Sequence, residues 1–290
     1  MVSDVYPTLA RAPADLFGLS VAGTNGAVHA AGHSDVPFTI MSVSKPFVFA
    51  LVCDAIGPDA AREHIGVNAT GLPFNALAAI ERDPGGRTNP MVNPGAVATT
   101  SLVPGSTLDE RWAFLRDGLS RFAGRALALD EEVLACALAS NARNRAIGHL
   151  LQAYGRIAGD PADALELYTR QCALNVTAGD LAVMGATLAD GGVNPLTKAR
   201  VVDGESGKRA LAVMATAGLY ETSGDWLYDV GLPGKSGIAG GIVAVSPGKG
   251  ALGAFGPRLD AAGNSVKGQL AARFLSRALG LSLFASDAEP

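Results

Sequence analysis

The stretch FTIMSVSKPFVFALV, residues 38–52, is apolar almost throughout, yet it carries Ser42, Ser44, Lys45 and Pro46. We predict that a helix begins at Ser42, with Pro46 in its first turn, where the missing N–H breaks no hydrogen bond. Residues three apart lie on one face of a helix, so this spacing predicts a contact between Ser42 and Lys45. Ser44 is adjacent to the lysine in sequence and is expected to point elsewhere.

The pair of Ser42 and Lys45 has two interpretations. Ser42 can simply cap the helix, as serine commonly does. Alternatively, Ser42 is a nucleophile and Lys45 its base, which requires the lysine to be neutral. The second interpretation is favoured by Lys235-Ser236-Gly237, because S-x-x-K followed far downstream by K-S/T-G is the pattern of penicillin-recognising serine enzymes. Burial and the nearby cation Lys235 would both lower the pKa of Lys45.

The residues around Gly237 suggest how a substrate is held. A glycine has no side chain, so a substrate can lie along the strand that contains it. We expect the N–H groups of Ile238 and Ser42, the latter at a helix N-terminus, to form an oxyanion hole.

Composition excludes several classes of protein. The chain has 290 residues, of which 48% are hydrophobic and 17% charged, as in a compact globular protein. With a net charge of -4, it has no electrostatic preference for a nucleic acid or an anionic membrane, and we expect neither as a partner. The four histidines form no cluster, so no metal is expected. Three widely spaced cysteines and the absence of a signal-peptide pattern favour reduced thiols in a cytoplasmic protein.

The order of predicted elements is strands, helices, strands and a final helix. Residues 16–32 predict a hairpin with its turn at Thr24-Asn25-Gly26, and the Gly- and Pro-rich stretch after residue 230 predicts two or three antiparallel strands. The helices expected between them include Leu108 to Ala123, Glu131 to Ala153, a helix capped at Thr177-Ala178-Gly179-Asp180, and Leu211 to Leu219.

This order predicts an α+β protein in which an antiparallel sheet is assembled from both ends of the chain and flanked by helices. We expect residues 1–290 to form a single catalytic unit with two lobes. Residues 1–60 and 220–290 would form the sheet lobe, and residues 61–219 a mainly helical lobe. A cleft between two lobes is a natural place for a small-molecule site.

Several longer stretches are distinctive. They are DVPFTIMSVSKPF at 35–47, TGLPFNALAAIE at 70–81, NPMVNPGAVATTSL at 89–102, RNRAI at 143–147, YTRQCALNVTAGDLAVMGATLADGGVNPLTKARVV at 168–202, GLYETSGDWLYDVGLPGKSGIAGGI at 218–242 and GNSVKG at 263–268. Through them, over nearly its whole length, the chain resembles the bacterial-type glutaminases, which share the serine β-lactamase-like fold. The resemblance implies hydrolysis of L-glutamine to L-glutamate and ammonia through a serine acyl-enzyme, without a cofactor, in a homodimer or homotetramer.

The resemblance also implies a role for each matched residue. Ser42 looks like the nucleophile and Lys45 like its general base. The other implied residues are Tyr168 and Tyr220 as active-site tyrosines, one of which relays the proton; Asn93 and Asn144 as substrate-binding amides; Ile238 at the oxyanion position; and Lys235, Ser236 and Gly237 in support. Without the resemblance, Asn144 would be interpreted as stabilising a helix turn and Tyr168 as part of the core.

The chain departs from the family pattern at three positions. Ala137 stands where the family has a glutamate that pairs with the α-ammonium of the substrate. Val5 stands where it has a tyrosine, with Tyr6 one residue away, and Pro94 replaces a small residue. Two alternatives therefore stay open: a serine amidase or β-lactam-type hydrolase acting on a substrate without a free α-ammonium, and a non-catalytic glutamine-binding homologue.

Overall fold

The structure, a computed structural model, describes residues 1–286. Its central element is a five-stranded antiparallel sheet with the strand order β2-β1-β8-β7-β6, and β3, β5 and β4 form a smaller sheet. The strands are β1 (Gly18–Gly23), β2 (Val28–Gly32), β3 (Phe38–Thr39), β4 (Ala128–Leu129), β5 (Leu174–Val176), β6 (Gly234–Ser236), β7 (Gly241–Ser246) and β8 (Gly250–Phe255).

Helices account for most of the chain between β3 and β6, and one further helix lies near each end of the described chain. The helices are α1 (Pro7–Ala10), α2 (Lys45–Ile56), α3 (Pro58–Ile65), α4 (Ala78–Glu81), α5 (Asn93–Ser101), α6 (Leu108–Ala123), α7 (Glu131–Ala139), α8 (Ala142–Ala153), α9 (Pro161–Cys172), α10 (Ala178–Ala189), α11 (Gly204–Ala217), α12 (Ser223–Val230) and α13 (Val266–Ala278), with 3₁₀ helices at Met41–Ser44 and Tyr220–Thr222. Within residues 1–286, none of these helices has the length and apolar character needed to cross a bilayer.

The two ends of the chain meet in the large sheet, as predicted. Strand β1 pairs along its whole length with β8, from Gly18 opposite Phe255 to Gly23 opposite Gly250. The hairpin of β1 and β2 closes at the predicted turn, where the side chain of Asn25 accepts a hydrogen bond from the N–H of Ala27 at 3.0 Å. The amino-terminal strands therefore belong to the same sheet as the Lys235-Ser236-Gly237 segment.

Helix α10 covers one face of the sheet, packing against β8, β1 and β7. A glycine on β8 allows the close approach, because a Cβ on Gly253 would lie 2.3 Å from the carbonyl oxygen of Ala178. The predicted capping box begins this helix: the Thr177 hydroxyl accepts from the Asp180 N–H at 3.1 Å, and the Asp180 carboxylate accepts from the Thr177 N–H at 2.7 Å. The division of the chain into lobes at residues 60 and 220 stays a prediction. By sequence α10 belongs to the helical lobe, although it packs against the sheet.

The opposite face of the sheet is covered by α12 and α13, through a core that includes Trp226, Ile242 and Leu252. Most other buried apolar side chains form one larger core, in which α2 packs against α11, α3 and α6. Helix α2 is thus buried on several sides, which explains why its residues Lys45 to Cys53 are all buried and why its sequence is apolar without a periodic pattern.

The long helix predicted from Glu131 to Ala153 is wrong in one respect, because it is two helices, α7 and α8. At the break, the Ser140 hydroxyl donates to the Cys136 carbonyl at 2.8 Å, and the Asn141 side chain donates to the Thr169 hydroxyl of α9 at 3.2 Å. Tertiary contact with α9 therefore interrupts a helix that carries no glycine or proline at this point.

Helix α11 also differs from its prediction. It begins at Gly204, earlier than the predicted Leu211, because the Asp203 carboxylate accepts from the N–H of Ser206 at 2.6 Å and caps the first turn. It ends at Ala217, before the predicted Leu219, and the 3₁₀ helix Tyr220–Thr222 and α12 then lead to β6, which carries Lys235.

Candidate active site

The chain turns sharply as it passes from β3 into α2. Met41 has a φ of +47°, a left-handed conformation that a bulky residue rarely adopts, and the next residues form the 3₁₀ turn Met41–Ser44. In this turn Ser42 faces a cavity, whereas the Ser44 hydroxyl donates to the Met41 carbonyl at 2.7 Å and accepts from Gln171 at 3.2 Å. Pro46 lies in the first turn of α2, as predicted.

The cavity has a volume of about 150 Å³ and lies between this turn and helices α5, α7, α8 and α9. Five of the predicted site residues line it: Ser42, Asn93, Asn144, Tyr168 and Ile238. The other five, Lys45, Tyr220, Lys235, Ser236 and Gly237, are buried beside it. The structure therefore brings residues from distant parts of the sequence into one cluster.

Asn93 is the residue that connects this cluster. Its Oδ1 accepts hydrogen bonds from Lys45 Nζ at 2.8 Å and from Tyr168 Oη at 3.0 Å, and its Nδ2 donates to Asn144 Oδ1 at 3.0 Å. It is the first residue of α5, so Pro94 falls in the first helical turn, where no N–H is required. The departure at Pro94 is thus accommodated by the helix start.

Within residues 1–286, no hydrogen bond joins Ser42 Oγ to Lys45 Nζ, the two groups that helical spacing was predicted to bring together. The lysine instead donates to Asn93. Helical spacing put the two residues on one face, but the long lysine side chain reaches an acceptor on another helix.

Burial lowers the pKa of Lys45 to about 8, since the side chain is almost fully excluded from water and faces no carboxylate. Roughly a tenth of Lys45 is then neutral at pH 7. Burial also lowers the pKa of Lys235 well below its usual range, and repulsion from Lys45 adds to this effect. Burial therefore lowers the pKa of Lys45, as predicted, and the repulsion between the two lysines is seen in the lowered pKa of Lys235.

Lys235 and Tyr220 share one acceptor, the carbonyl oxygen of Ser236. Lys235 Nζ donates to it at 2.7 Å and Tyr220 Oη at 3.2 Å, while Lys235 Nζ lies 4.3 Å from the centre of the tyrosine ring. Burial raises the pKa of Tyr220 to about 12, and it raises the pKa of Tyr168 well above its ordinary value. Both tyrosines are thus protonated at neutral pH and act as hydrogen-bond donors.

The segment after β6 approaches the turn that carries Ser42. A Cβ on Gly237 would lie 3.1 Å from the carbonyl oxygen of Ile40 and 3.3 Å from the backbone nitrogen of Ser42, so only glycine fits comfortably. In the part of the chain that the structure describes, the N–H groups of Ser42 and Ile238 have no hydrogen-bond acceptor. Two free donors beside the cavity are what an oxyanion requires.

Sequence reasoning missed several residues of the cavity, among them Asn141, Arg143 and Cys172. Arg143 Nε donates to the carbonyl of Asn75 at 2.9 Å, which holds the guanidinium at the cavity. The only signal for it was its place in RNRAI, beside Asn144. Two of the departing positions, Val5 and Ala137, also line the cavity, and so does Tyr6, the neighbour of Val5.

The charge of the cavity is unusual for an amino-acid site. Among its described lining residues there is no aspartate or glutamate, and Arg143 is its cation. Within residues 1–286, no group of three or more His, Cys, Asp or Glu side chains is arranged to hold a metal ion. An α-ammonium in this cavity would therefore be held by hydroxyl, amide and carbonyl groups.

The class of this protein follows from three features: a sheet built from both chain ends, a buried S-x-x-K turn and a facing K-S-G strand. Together they define a serine β-lactamase-like protein. A family model described as Glutaminase matches residues 1–284. Glutaminase 2 of Yersinia pestis is 69% identical over 287 residues, which cover 99% of this chain and 84% of that protein. The chain belongs to the glutaminase family.

Solved structures agree with this assignment. One described as a probable glutaminase is 42% identical with a TM-score of 0.97, over 99% of this chain and 93% of that one. A probable glutaminase of Bacillus subtilis is 32% identical with a TM-score of 0.90, over 93% and 90% of the two chains. These likenesses confirm the predicted α+β, serine β-lactamase-like fold.

Proposed function

We propose that this protein hydrolyses L-glutamine to L-glutamate and ammonia through an acyl-enzyme on Ser42. The observation that carries the proposal is the hydrogen-bonded cluster of Lys45, Tyr168, Asn93 and Asn144 around the cavity that Ser42 faces. Membership of the glutaminase family supports the substrate.

In the first step, Ser42 Oγ attacks the carboxamide carbon of the substrate. Its proton passes to neutral Lys45, and we assign Tyr220 as the relay, since Ser42 is among the groups that act on the pKa of this phenol. The N–H groups of Ser42 and Ile238 stabilise the tetrahedral oxyanion. The C–N bond then breaks, and the leaving nitrogen takes the proton from the Lys45 ammonium and departs as ammonia.

In the second step, water attacks the ester carbonyl of the acyl-enzyme. Lys45 accepts a proton from the water, and that proton is returned to Ser42 Oγ as the ester bond breaks and glutamate leaves. Asn93 and Asn144 hold the substrate's polar groups without adding charge, since amides donate and accept together. Lys235, Ser236 and Gly237 support the strand that borders the oxyanion hole.

Ammonia release from L-glutamine by the purified protein tests this proposal. We expect Ser42→Ala to abolish release, because the attacking oxygen is lost. Ser44→Ala is the matched control: it removes a neighbouring hydroxyl that is already bound to Met41 and Gln171, so turnover should largely remain. Turnover that survives Ser42→Ala would refute the assigned nucleophile.

A second candidate is favoured by the charge of the cavity. A substrate that has a carboxylate for Arg143 but no ammonium would suit a lining without an acid, and Ala137 leaves that gap. Glutaric acid monoamide is glutamine without its amino group. If its kcat/KM exceeds that of glutamine, the protein is an amidase for such substrates. If glutamine binds in calorimetry and no amide is hydrolysed, the chain is a non-catalytic binding homologue.

We also propose a cytoplasmic homodimer or homotetramer. Three side chains spaced four apart form an apolar stripe on α13: Val266, Leu270 and Phe274 are 40%, 61% and 69% exposed. Such a stripe is a common site of self-association. The three cysteines are free, as expected in a reducing compartment. Light scattering should give a mass above that of one chain, and Phe274→Glu should lower it.

A further inference from the structure

Asn264, in the loop between β8 and α13, is fully buried and lies outside the residues assigned a role above. We propose that Asn264 is a positioning residue, which sets Tyr220 and the strand leading to Ile238 in the geometry that the reaction needs. The proposal rests on the proposed hydrolysis, in which Tyr220 relays the proton and Ile238 donates to the oxyanion.

The two ends of the Asn264 amide bond to two different elements. Its Oδ1 accepts a hydrogen bond from the Ser236 hydroxyl of β6. Its Nδ2 donates to the Thr222 hydroxyl at 3.0 Å, in the 3₁₀ helix that begins with Tyr220. One side chain thus ties the K-S-G strand to the turn that carries the active-site tyrosine.

The turn at Tyr220 needs such support because its backbone is strained. Tyr220 has a φ of +57°, in the left-handed region that is unfavourable for a bulky residue. Thr222 returns to the start of this turn, since its hydroxyl donates to the Leu219 carbonyl at 2.8 Å. The bond from Asn264 therefore fixes the residue that closes the strained turn.

The other bond acts on the hydroxyl group of Tyr220. The Ser236 carbonyl accepts from Tyr220 Oη at 3.2 Å, so the position of Ser236 determines where that phenol lies. Asn264 therefore acts on Tyr220 at two places. It acts on the backbone of Tyr220 through Thr222, and on the Tyr220 hydroxyl through Ser236. Gly237 and Ile238 follow Ser236 directly, so the same bond bears on the oxyanion donor.

Asn264 is itself held rigidly, as a positioning residue must be. Its N–H donates to the Asp260 carboxylate at 2.9 Å, and its carbonyl accepts from the Asp260 N–H at 2.9 Å. The second carboxylate oxygen of Asp260 accepts from Gln269 at 2.9 Å, which anchors the loop to α13. The bridge is therefore fixed from outside the site.

The test compares Asn264→Ala with Asn194→Ala. Asn194 is also fully buried and also bridges polar groups, donating to the carbonyls of Arg121 and Phe122 at 3.0 and 2.9 Å, away from the cavity. Circular dichroism checks that both variants are folded. We then expect Asn264→Ala to lower kcat for ammonia release roughly ten- to hundredfold, with little change in KM. We expect Asn194→Ala to leave both constants near wild type.

A second readout does not depend on the reaction. In protein with ¹³C-labelled tyrosine, the ring signal of Tyr220, assigned by its loss in Tyr220→Phe, should move in Asn264→Ala and stay in Asn194→Ala. An unmoved signal, or equal losses of kcat in the two variants, would overturn the proposal. If wild type releases no ammonia but the signal moves selectively, the proposed function fails and the positioning by Asn264 stands.

Discussion

Replacing Lys45 by methionine should make the protein more stable while abolishing its activity. The lysine side chain is 1% exposed, and its pKa is about 8 instead of the ordinary 10.5. That difference, 10.5 minus about 8, is about 2.5 pKa units, which corresponds to about 3.4 kcal/mol between the charged and neutral forms. Methionine has a similar length and no charge to bury.

The sign depends on pH. The folded protein binds the lysine proton less tightly than the unfolded chain, so the folded state loses stability as pH falls from 10.5 to 8, and the full deficit persists at pH 7. After roughly 1 kcal/mol for the lost hydrogen bond and imperfect packing, we expect a gain of about 2 kcal/mol for Lys45→Met at pH 7. Asn93 Oδ1 keeps Tyr168 as a donor, so no buried acceptor is left unpaired.

Urea unfolding followed by tryptophan fluorescence measures this gain, at pH 7 and again at pH 9.5. The advantage should be complete at pH 7 and smaller at pH 9.5. Lys208→Met is the matched control, since this lysine is mostly exposed and its loss should change stability little. The reasoning would be refuted if the Lys45→Met protein were less stable than wild type at pH 7. It would also be refuted if its gain in free energy of unfolding were the same at pH 7 and pH 9.5.

Three further outcomes follow from the site. If neutral Lys45 is the base, kcat/KM for glutamine should rise with pH up to about 8 and then level off, because burial lowers the lysine pKa to that value. A flat profile between pH 6 and 8 would exclude Lys45 as the base. Ala137→Glu should lower KM for glutamine about tenfold, but not for glutaric acid monoamide, by adding the carboxylate that the cavity lacks; equal KM values for wild type and variant would count against this. Gly237→Ala should lower kcat about tenfold, because its Cβ would press on Ile40 and Ser42, whereas Gly179→Ala has ordinary contacts and should change little; equal effects would contradict the close approach.

Local features could be predicted from sequence because they depend on neighbouring residues. The turn at Asn25-Gly26, the Thr177 capping box and the placement of Pro46 each follow from the conformational preferences of a few adjacent side chains. The pairing of strands from both chain ends also followed, since their order along the chain allows few sheets. The break between α7 and α8 did not, because it depends on Thr169 of another helix.

The contacts of the site could not be predicted from spacing. Lys45 and Asn93 are 48 residues apart, and Asn93 and Asn144 are 51 apart, so only the fold brings them together. Resemblance to a family identified these residues, but helical geometry alone predicted a lysine bonded to Ser42. Asn264 lies within GNSVKG, and nothing in that stretch reveals its partner on β6.

The central claim, a covalent intermediate on Ser42, is tested most directly by intact-mass analysis of the protein after acid quenching during turnover of L-glutamine. We predict that wild type carries the added mass of one glutamyl group, located on the peptide that contains Ser42, and that Ser44→Ala carries it as well. Ser42→Ala should show none. Ammonia release without any adduct under all quenching times, or an adduct that persists in Ser42→Ala, would contradict the account.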